Sequence, residues 1–344
     1  MTIKDIARKA NVSVATVSRV INEYKWVSPE VRARVQKVIE EENYRPNYSA
    51  SVMATGKSNM IAIIVPNFMS PFFAQFTGIV SARLKTAGYT PVLFQTDNNP
   101  AEEAAYFASP MFRIADGVIN VTDALNNKLL LKLIRPLREK NKPILFLDRY
   151  LPATVADCVI NDNVGGMYSA VELLWRNGHR RIGMITGGTG MTVVSDKLRG
   201  FRSAMKELEL PVCEEYLRNG NWTVETGRAE MERLLSMPEP PTAVIACNNY
   251  ICEGALEALN AAGLEPGKTF SLIGMEESDS DARLFRRLGI TTLKLDCTRL
   301  AEYACNYILN HLDSAEEPYY YTTTEFRMEL IVRDSVVNLR KKPL

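Results

Sequence analysis

Histidine is almost missing from this sequence: His179 and His311 are the only two in 344 residues. Neither has a cysteine or carboxylate at the spacing a metal site or a nucleophilic triad needs, so both read as structural. The six cysteines (Cys158, Cys213, Cys247, Cys252, Cys297, Cys305) are scattered without a C-x-x-C pair. That spacing argues against zinc and disulfides and fits reduced, buried thiols. No run of ~18 residues is apolar and free of charge, which excludes a spanning helix. Met1–Asp5 leads into a charged helical pattern rather than an apolar signal core, so a cytoplasmic protein is expected. Gly-x-Ser-x-Gly, Walker and dinucleotide signatures are all absent from strand-to-helix turns, and the glycines of Thr186–Gly190 lack a P-loop lysine in register. The expectation is a protein that is no enzyme, with no cofactor, no metal and no membrane.

What is present is hydrophobic bulk and an uneven charge. A 46% hydrophobic share over 344 residues supports two or three units with cores of their own. Residues 1–60 hold 10 Lys/Arg against 6 Asp/Glu, while the rest holds 31 against 34. A basic head on a slightly acidic body suits phosphate contact by the head.

Residues 2–44 read as three short helices. Thr2 with Asp5 resembles a capping box and opens a helix with Ile3, Ile6, Ala7 and Ala10 on one side. Ser13 can cap a second helix through Val14–Ile21, with Val17, Val20 and Ile21 turned inward. Ser28-Pro29 starts a third, whose buried stripe is Val31, Val35, Val38 and Ile39. Asn47–Ser58 is small, polar and weakly amphipathic, and reads as a hinge. From Met60 onward, apolar runs alternate with helical stretches: 61–65, 91–95, 117–121, 144–147, 182–186, 243–246 and 271–274. The alternation predicts βαβ crossovers and an α/β fold of doubly wound parallel sheets. Seven units exceed one compact sheet, so two lobes with a cleft between them are expected, with ligand at the carboxyl ends of the strands.

Two short helices joined by a tight turn form a helix-turn-helix, in which the second helix enters the major groove. Its outward residues include Arg19, able to bond a guanine's O6 and N7, and Val14 and Ala15, able to touch a thymine methyl. Ser13, Thr16, Ser18 and Asn22 suit phosphate oxygens, and Thr2 and Tyr44 are placed with them. A three-helix protein-docking module is the alternative that spacing alone leaves open.

The stretches Thr2–Ala7, Asn11–Asn22 and Tyr44–Asn47 resemble the headpiece of the lactose-repressor family of bacterial regulators. Similarity continues through Pro71–Phe73, Leu147–Arg149, Gly178–Ile182 and Gly200-Phe201. The resemblance implies a headpiece at 1–46, a hinge at 47–58 and, at 59–344, an effector domain with the fold of periplasmic sugar-binding proteins. Three crossovers would then make one lobe of about 59–160 with 291–324 and the other of about 161–290 with 325–335. It also implies a homodimer on a pseudo-palindromic double-stranded operator. In the family the hinge becomes helical on DNA and drives apolar side chains into the minor groove, a role that falls here to Ala50 and Met53.

For the cleft, the candidates near strand ends are Phe72, Phe73, Asp148, Arg149, Asp162, Lys197, Trp222, Asn248 and Glu276. Aromatic faces beside carboxylates, amides and cations are what a polyhydroxylated ring requires, so a sugar or sugar derivative is the expected effector. Three positions depart from the family pattern: Lys197 stands where an arginine is usual, Asn248-Asn249 replaces Asn-Asp, and Gly274-Met275-Glu276 replaces Gly-Phe/Tyr-Asp. A different ligand from that of familiar members is implied. The reading is a small-molecule-controlled transcription regulator, a repressor by resemblance; the alternative is a two-lobed solute-binding protein with no transcriptional role.

Overall fold

Three capped helices begin the chain: α1 (Ile3–Lys9), α2 (Val14–Ile21) and α3 (Pro29–Glu41). At the first, the Thr2 N–H and hydroxyl both donate to the Asp5 carboxylate, at 3.0 and 2.8 Å, and hold that carboxyl below its ordinary range. Ser13 Oγ accepts the Thr16 N–H at 3.1 Å, and Ser28 Oγ accepts that of Val31 at 3.4 Å with Pro29 at the first helical position. Ile6, Ala7, Ala10, Val17, Val20 and Val35 form a buried cluster, with Ile3, Val12, Ile21, Val31, Val38 and Ile39 packed on it. An ion pair from Lys9 to Glu42 fastens the end of α1 to the end of α3.

The computed structural model describes residues 1–21, 26–44, 56–121, 128–138, 142–149, 156–276, 278–313 and 321–340. The chain divides into two units, Met1–Ser58 and Asn59–Leu344. Among the described residues, the second unit holds two six-stranded sheets. The first contains β1 (Met60–Val65), β2 (Thr90–Gln95), β3 (Gly117–Asn120), β4 (Ile144–Leu147), β5 (Asp157–Asn161) and β11 (Thr323–Phe326), all parallel, in the order β11-β5-β4-β3-β1-β2. The second contains β6 (Ile182–Thr186), β7 (Leu217–Asn219), β8 (Ala243–Ala246), β9 (Ser271–Glu276), β10 (Thr291–Lys294) and β12 (Glu329–Ile331), in the order β12-β10-β9-β8-β6-β7, with only β12 antiparallel. The two orders follow one pattern and differ in the direction of the last-added edge strand, β11 parallel and β12 antiparallel. Strands β3, β4, β5, β6 and β8 are buried along their whole length, as sheets covered on both faces require.

In the first lobe α4 (Pro71–Thr86) and, from late in the chain, α13 (Cys297–Asp313) pack side by side on one face. Helices α5 (Pro100–Ala108), α6 (Pro110–Ile114) and α7 (Lys128–Arg138) belong to the same lobe. The second lobe is covered by the pair α8 (Asn163–Arg176) and α9 (Thr192–Glu207), by the pair α10 (Val224–Leu235) and α11 (Asn249–Ala261), and by α12 (Asp279–Arg287).

Three boundaries differ from the sequence reading, the smallest at Asn161, which ends β5 in the first sheet rather than opening the second lobe. Residues 291–294, assigned above to the first lobe, pair with β9 and β12 and so belong to the second sheet; the chain crosses only after Lys294. Glu325 and Phe326, assigned to the second lobe, pair with Ile160 and Asn161 in the first. In each case ladder hydrogen bonds to a strand distant in sequence decide membership.

Candidate functional site

On α2 the side chains sort by exposure. Val17 and Val20 are buried, Thr16 and Ser18 are half-buried, and Val14, Ala15 and Arg19 are exposed. Val14, 39% exposed, is a large apolar side chain held in water at the start of a helix, where its residue type gains nothing unless something covers it. Ser13 and Thr16 hydroxyls bond each other at 2.9 Å, so Ser13 serves first as the cap that fixes where α2 begins. The Thr2 hydroxyl is likewise engaged in the α1 cap. Tyr44 packs against the three-helix core. Asn22, Ala50 and Met53 lie outside the described residues. Trp26, passed over in the sequence for want of any periodic pattern, is 92% exposed just before α3.

Between the lobes of the second unit lies a cavity of about 80 Å³ at the facing carboxyl ends of both sheets. The first lobe contributes Phe72 and Phe73 from the start of α4 and Asp148 and Arg149 from the end of β4. The second contributes Lys197 from α9, Trp222 after β7 and Asn248 after β8. All seven were sequence candidates. Asp162 does not line the cavity: its carboxylate accepts the Gly165 N–H at 2.7 Å and caps α8, which satisfies backbone donors that would otherwise be orphaned. The Glu276 side chain lies outside what the structure describes.

Backbone strain marks the first-lobe wall. Asp148 sits at φ 63°, and Asp97 and Asn98, after β2, sit at 51° and 57°, in the left-handed region that costs a side chain free energy and is concentrated at functional sites. Arg149, buried, donates from Nη1 to Asn98 Oδ1 at 3.0 Å, so one strained turn holds the guanidinium of the other. Burial pushes the Asp148 carboxyl above its ordinary range, with Lys197 and the Asn161 amide, which donates to it at 3.3 Å, pulling the other way. Across the cavity, Lys197 is 2% exposed, and its ammonium donates to the Cys247 carbonyl at 2.9 Å and stands 5.4 Å from the Trp222 ring centroid. Trp222 itself lies on Gly187, where a Cβ would fall 2.1 Å from the indole. The glycine loop after β6 therefore seats an aromatic wall. Asn248 Oδ1 is spent capping α11 through the Ile251 N–H at 2.8 Å. Asn67, Ser70, Tyr250 and Leu295 also line the cavity and gave no sequence signal, being ordinary loop or first-turn residues.

Hydrogen bonds also join the two lobes directly. Tyr250 Oη donates to the Met69 carbonyl at 3.1 Å, and the Asp279 N–H donates to Gln75 Oε1 at 2.8 Å, each joining a second-lobe residue to the first lobe.

His179 is far from this cavity in role. Fully buried, its ring contacts Thr242 Oγ1 at 2.9 Å, Ser271 Oγ at 2.8 Å and the Val337 carbonyl at 3.1 Å, tying the C-terminal segment to the second sheet. Burial lowers its pKa from the ordinary 6.5, outweighing the Val337 bond that raises it.

A three-helix unit that presents a polar, Arg-tipped helix, carried on a two-lobed body with a polar interlobe cavity, defines a transcriptional regulator with an effector-binding domain. Comparison with known proteins agrees. Residues 2–47 match the model for bacterial regulatory proteins of the lacI family, and 171–336 match that for the periplasmic binding protein-like domain. The HTH-type transcriptional repressor PurR of Actinobacillus pleuropneumoniae serotype 3 (strain JL03) is 30% identical over 340 residues, covering 99% of each chain. The regulator DegA of Bacillus subtilis (strain 168) is 30% identical over 277 residues, 80% of this chain and 82% of its own. Among solved structures, the lac repressor dimer bound to operator and the anti-inducer ONPF superposes with a TM-score of 0.83 at 22% identity, covering 98% of this chain and 99% of its own. The regulator CelR in complex with cellobiose gives 0.69 at 25% identity, covering 97% and 99%. The chain belongs to the lacI family.

Proposed function

We propose that the protein is a cytoplasmic repressor whose homodimer sets two α2 helices into half-sites of a pseudo-palindromic operator, and whose operator affinity is controlled by a sugar or sugar derivative held between the lobes. The observation that carries this reading is the coexistence in one chain of an exposed α2 face, with Val14, Ala15 and Arg19 outward, and a lobe-spanning cavity lined by Phe72, Trp222, Asp148 and Arg149. The CelR–cellobiose complex, alike over almost the whole chain, supports a carbohydrate in the cavity. Residues 1–46 act as the DNA-reading unit, with Arg19 on base edges and Thr2, Ser13, Thr16, Ser18, Asn22 and Tyr44 on phosphates. Residues 47–58 act as the hinge, with Met53 and Ala50 as the minor-groove wedge.

A difference in effector affinity between two arrangements of the lobes is what shifts operator affinity. The test is a gel shift with DNA upstream of the neighbouring genes at two salt concentrations, repeated with sugars that raise the melting temperature. Steep weakening with salt is expected, because each neutralised phosphate releases counterions. Absence of binding to every duplex at low ionic strength refutes the reading.

A further inference from the structure

The charge lining the interlobe cavity narrows the ligand class; this step rests on the proposed function, which takes the cavity as the effector's seat. Lys197 is a buried ammonium whose three N–H groups find one acceptor among the described residues, the neutral Cys247 carbonyl, and no carboxylate in ion-pair contact. Asp148 is the only acidic side chain among the described residues of the lining, and it stands on the opposite lobe, bonded to Asn161. Burial pushes its carboxyl above the ordinary range, while the Lys197 charge and the Asn161 amide pull it back. Arg149 adds a second cation to the wall. The Trp222 indole N–H, buried and with no acceptor among the described residues, borders the same space. Two cations against one carboxylate leave the described lining with an excess of positive charge, which a neutral sugar does not answer.

We propose that the effector is an anionic sugar derivative whose carboxylate or phosphate seats on Lys197, with Arg149 and the Trp222 N–H as further donors. The usual arginine would grip a planar carboxylate in a fork, whereas the lysine offers a point charge with three rotatable donors and accepts either anion geometry.

The test uses the full chain and matched triplets of probes: D-glucose, D-gluconate and D-glucose 6-phosphate, with D-ribose, D-ribonate and D-ribose 5-phosphate. Binding is read by calorimetry and thermal shift on wild type, Lys197→Met, Lys197→Arg and the exposed-lysine control Lys206→Met. An anionic member is expected to bind more tightly than its neutral parent. Its Kd should rise ~10-fold or more in Lys197→Met, recover in Lys197→Arg and stay unchanged in Lys206→Met. Which anion binds separates a sugar acid from a sugar phosphate. Unliganded Lys197→Met is expected to melt at or above the wild-type temperature, because a buried cation whose hydrogen bond goes to a neutral carbonyl is gone. If a neutral sugar binds as well as its anions, or anion binding survives Lys197→Met, the proposal fails while the cavity remains the effector site. If no member of either triplet binds, both the proposal and the carbohydrate reading fail.

Discussion

Replacing Gly187 by alanine tests whether the loop after β6 exists to seat Trp222. The added Cβ would lie 2.1 Å from Cδ2 and Cε2 of the indole and 2.6 Å from Cε3. Carbon atoms rest at ~3.5–4.0 Å, so the ring or the strand end must retreat by more than ~1 Å. Overpacking of this kind costs ~1–3 kcal/mol. For an effector domain of this size each kcal/mol is worth ~2–4 °C, so Gly187→Ala should lower the melting temperature by roughly 2–12 °C. The neighbouring Gly188 supplies the control: a Cβ there meets nothing nearer than the Gly220 carbonyl at 3.7 Å, and its φ is not positive. Gly188→Ala should therefore be neutral or stabilising by up to ~1 kcal/mol, through loss of unfolded-state entropy. Differential scanning calorimetry and the difference in tryptophan emission between the two variants give the answer. Gly187→Ala should shift emission to the red as the indole leaves its seat. Two variants that melt together with identical spectra would refute the packing argument.

Arg19→Ala should cost ~1–3 kcal/mol of operator affinity at one base pair and leave the headpiece as stable as before, because the side chain is exposed; a gel-shift series over single-base operator variants checks it. Ile6→Ala, at a side chain with no exposed surface, should destabilise the three-helix unit by ~2–5 kcal/mol and abolish operator binding while calorimetry of the effector domain stays unchanged. Tyr307→Phe removes one of the donors to the buried Asp157 carboxylate, a 2.7 Å bond, and should cost ~1.5–3 kcal/mol in a urea titration. Because the folded-state pKa of His179 is depressed, its contribution is fully present above the unfolded value of about 6.5 and is lost as pH falls below it toward the folded pKa. Melting temperatures from pH 8 down to 5 should show this loss in the wild type and a flatter profile in His179→Gln. Met53→Gly should weaken operator binding and leave effector binding unaltered, as measured by gel shift beside calorimetry.

The elements legible in the sequence are those whose pattern is local. The three headpiece helices carry their own caps and apolar stripes, and strands such as Ile182–Thr186 and Ala243–Ala246 are apolar runs because parallel strands are buried on both faces. The strands that escaped notice, Asp157–Asn161, Leu217–Asn219, Thr291–Lys294, Thr323–Phe326 and Glu329–Ile331, are short and carry polar residues. Some have partners far along the chain, as with Thr323 beside Cys158, and their polar residues hide any local period. The cavity was legible where side-chain chemistry is distinctive, at Lys197, Trp222 and Arg149. Asp162 misled because an aspartate that caps a helix and one that binds a hydroxyl look alike in a string of letters. Gly187 was legible as a glycine, whereas its reason, an indole from 35 positions further on, exists only in three dimensions.

The way the chain weaves between its lobes has a consequence for biosynthesis. Each sheet gains its final edge strand only from Thr323–Phe326 or Glu329–Ile331, and α13 must return to a lobe begun more than two hundred positions earlier. Neither half can close until the chain has been made as far as Phe326 or Ile331, whereas the three-helix unit is complete within the first 44 residues. During translation the helix-turn-helix unit is complete well before the cavity between the lobes can form.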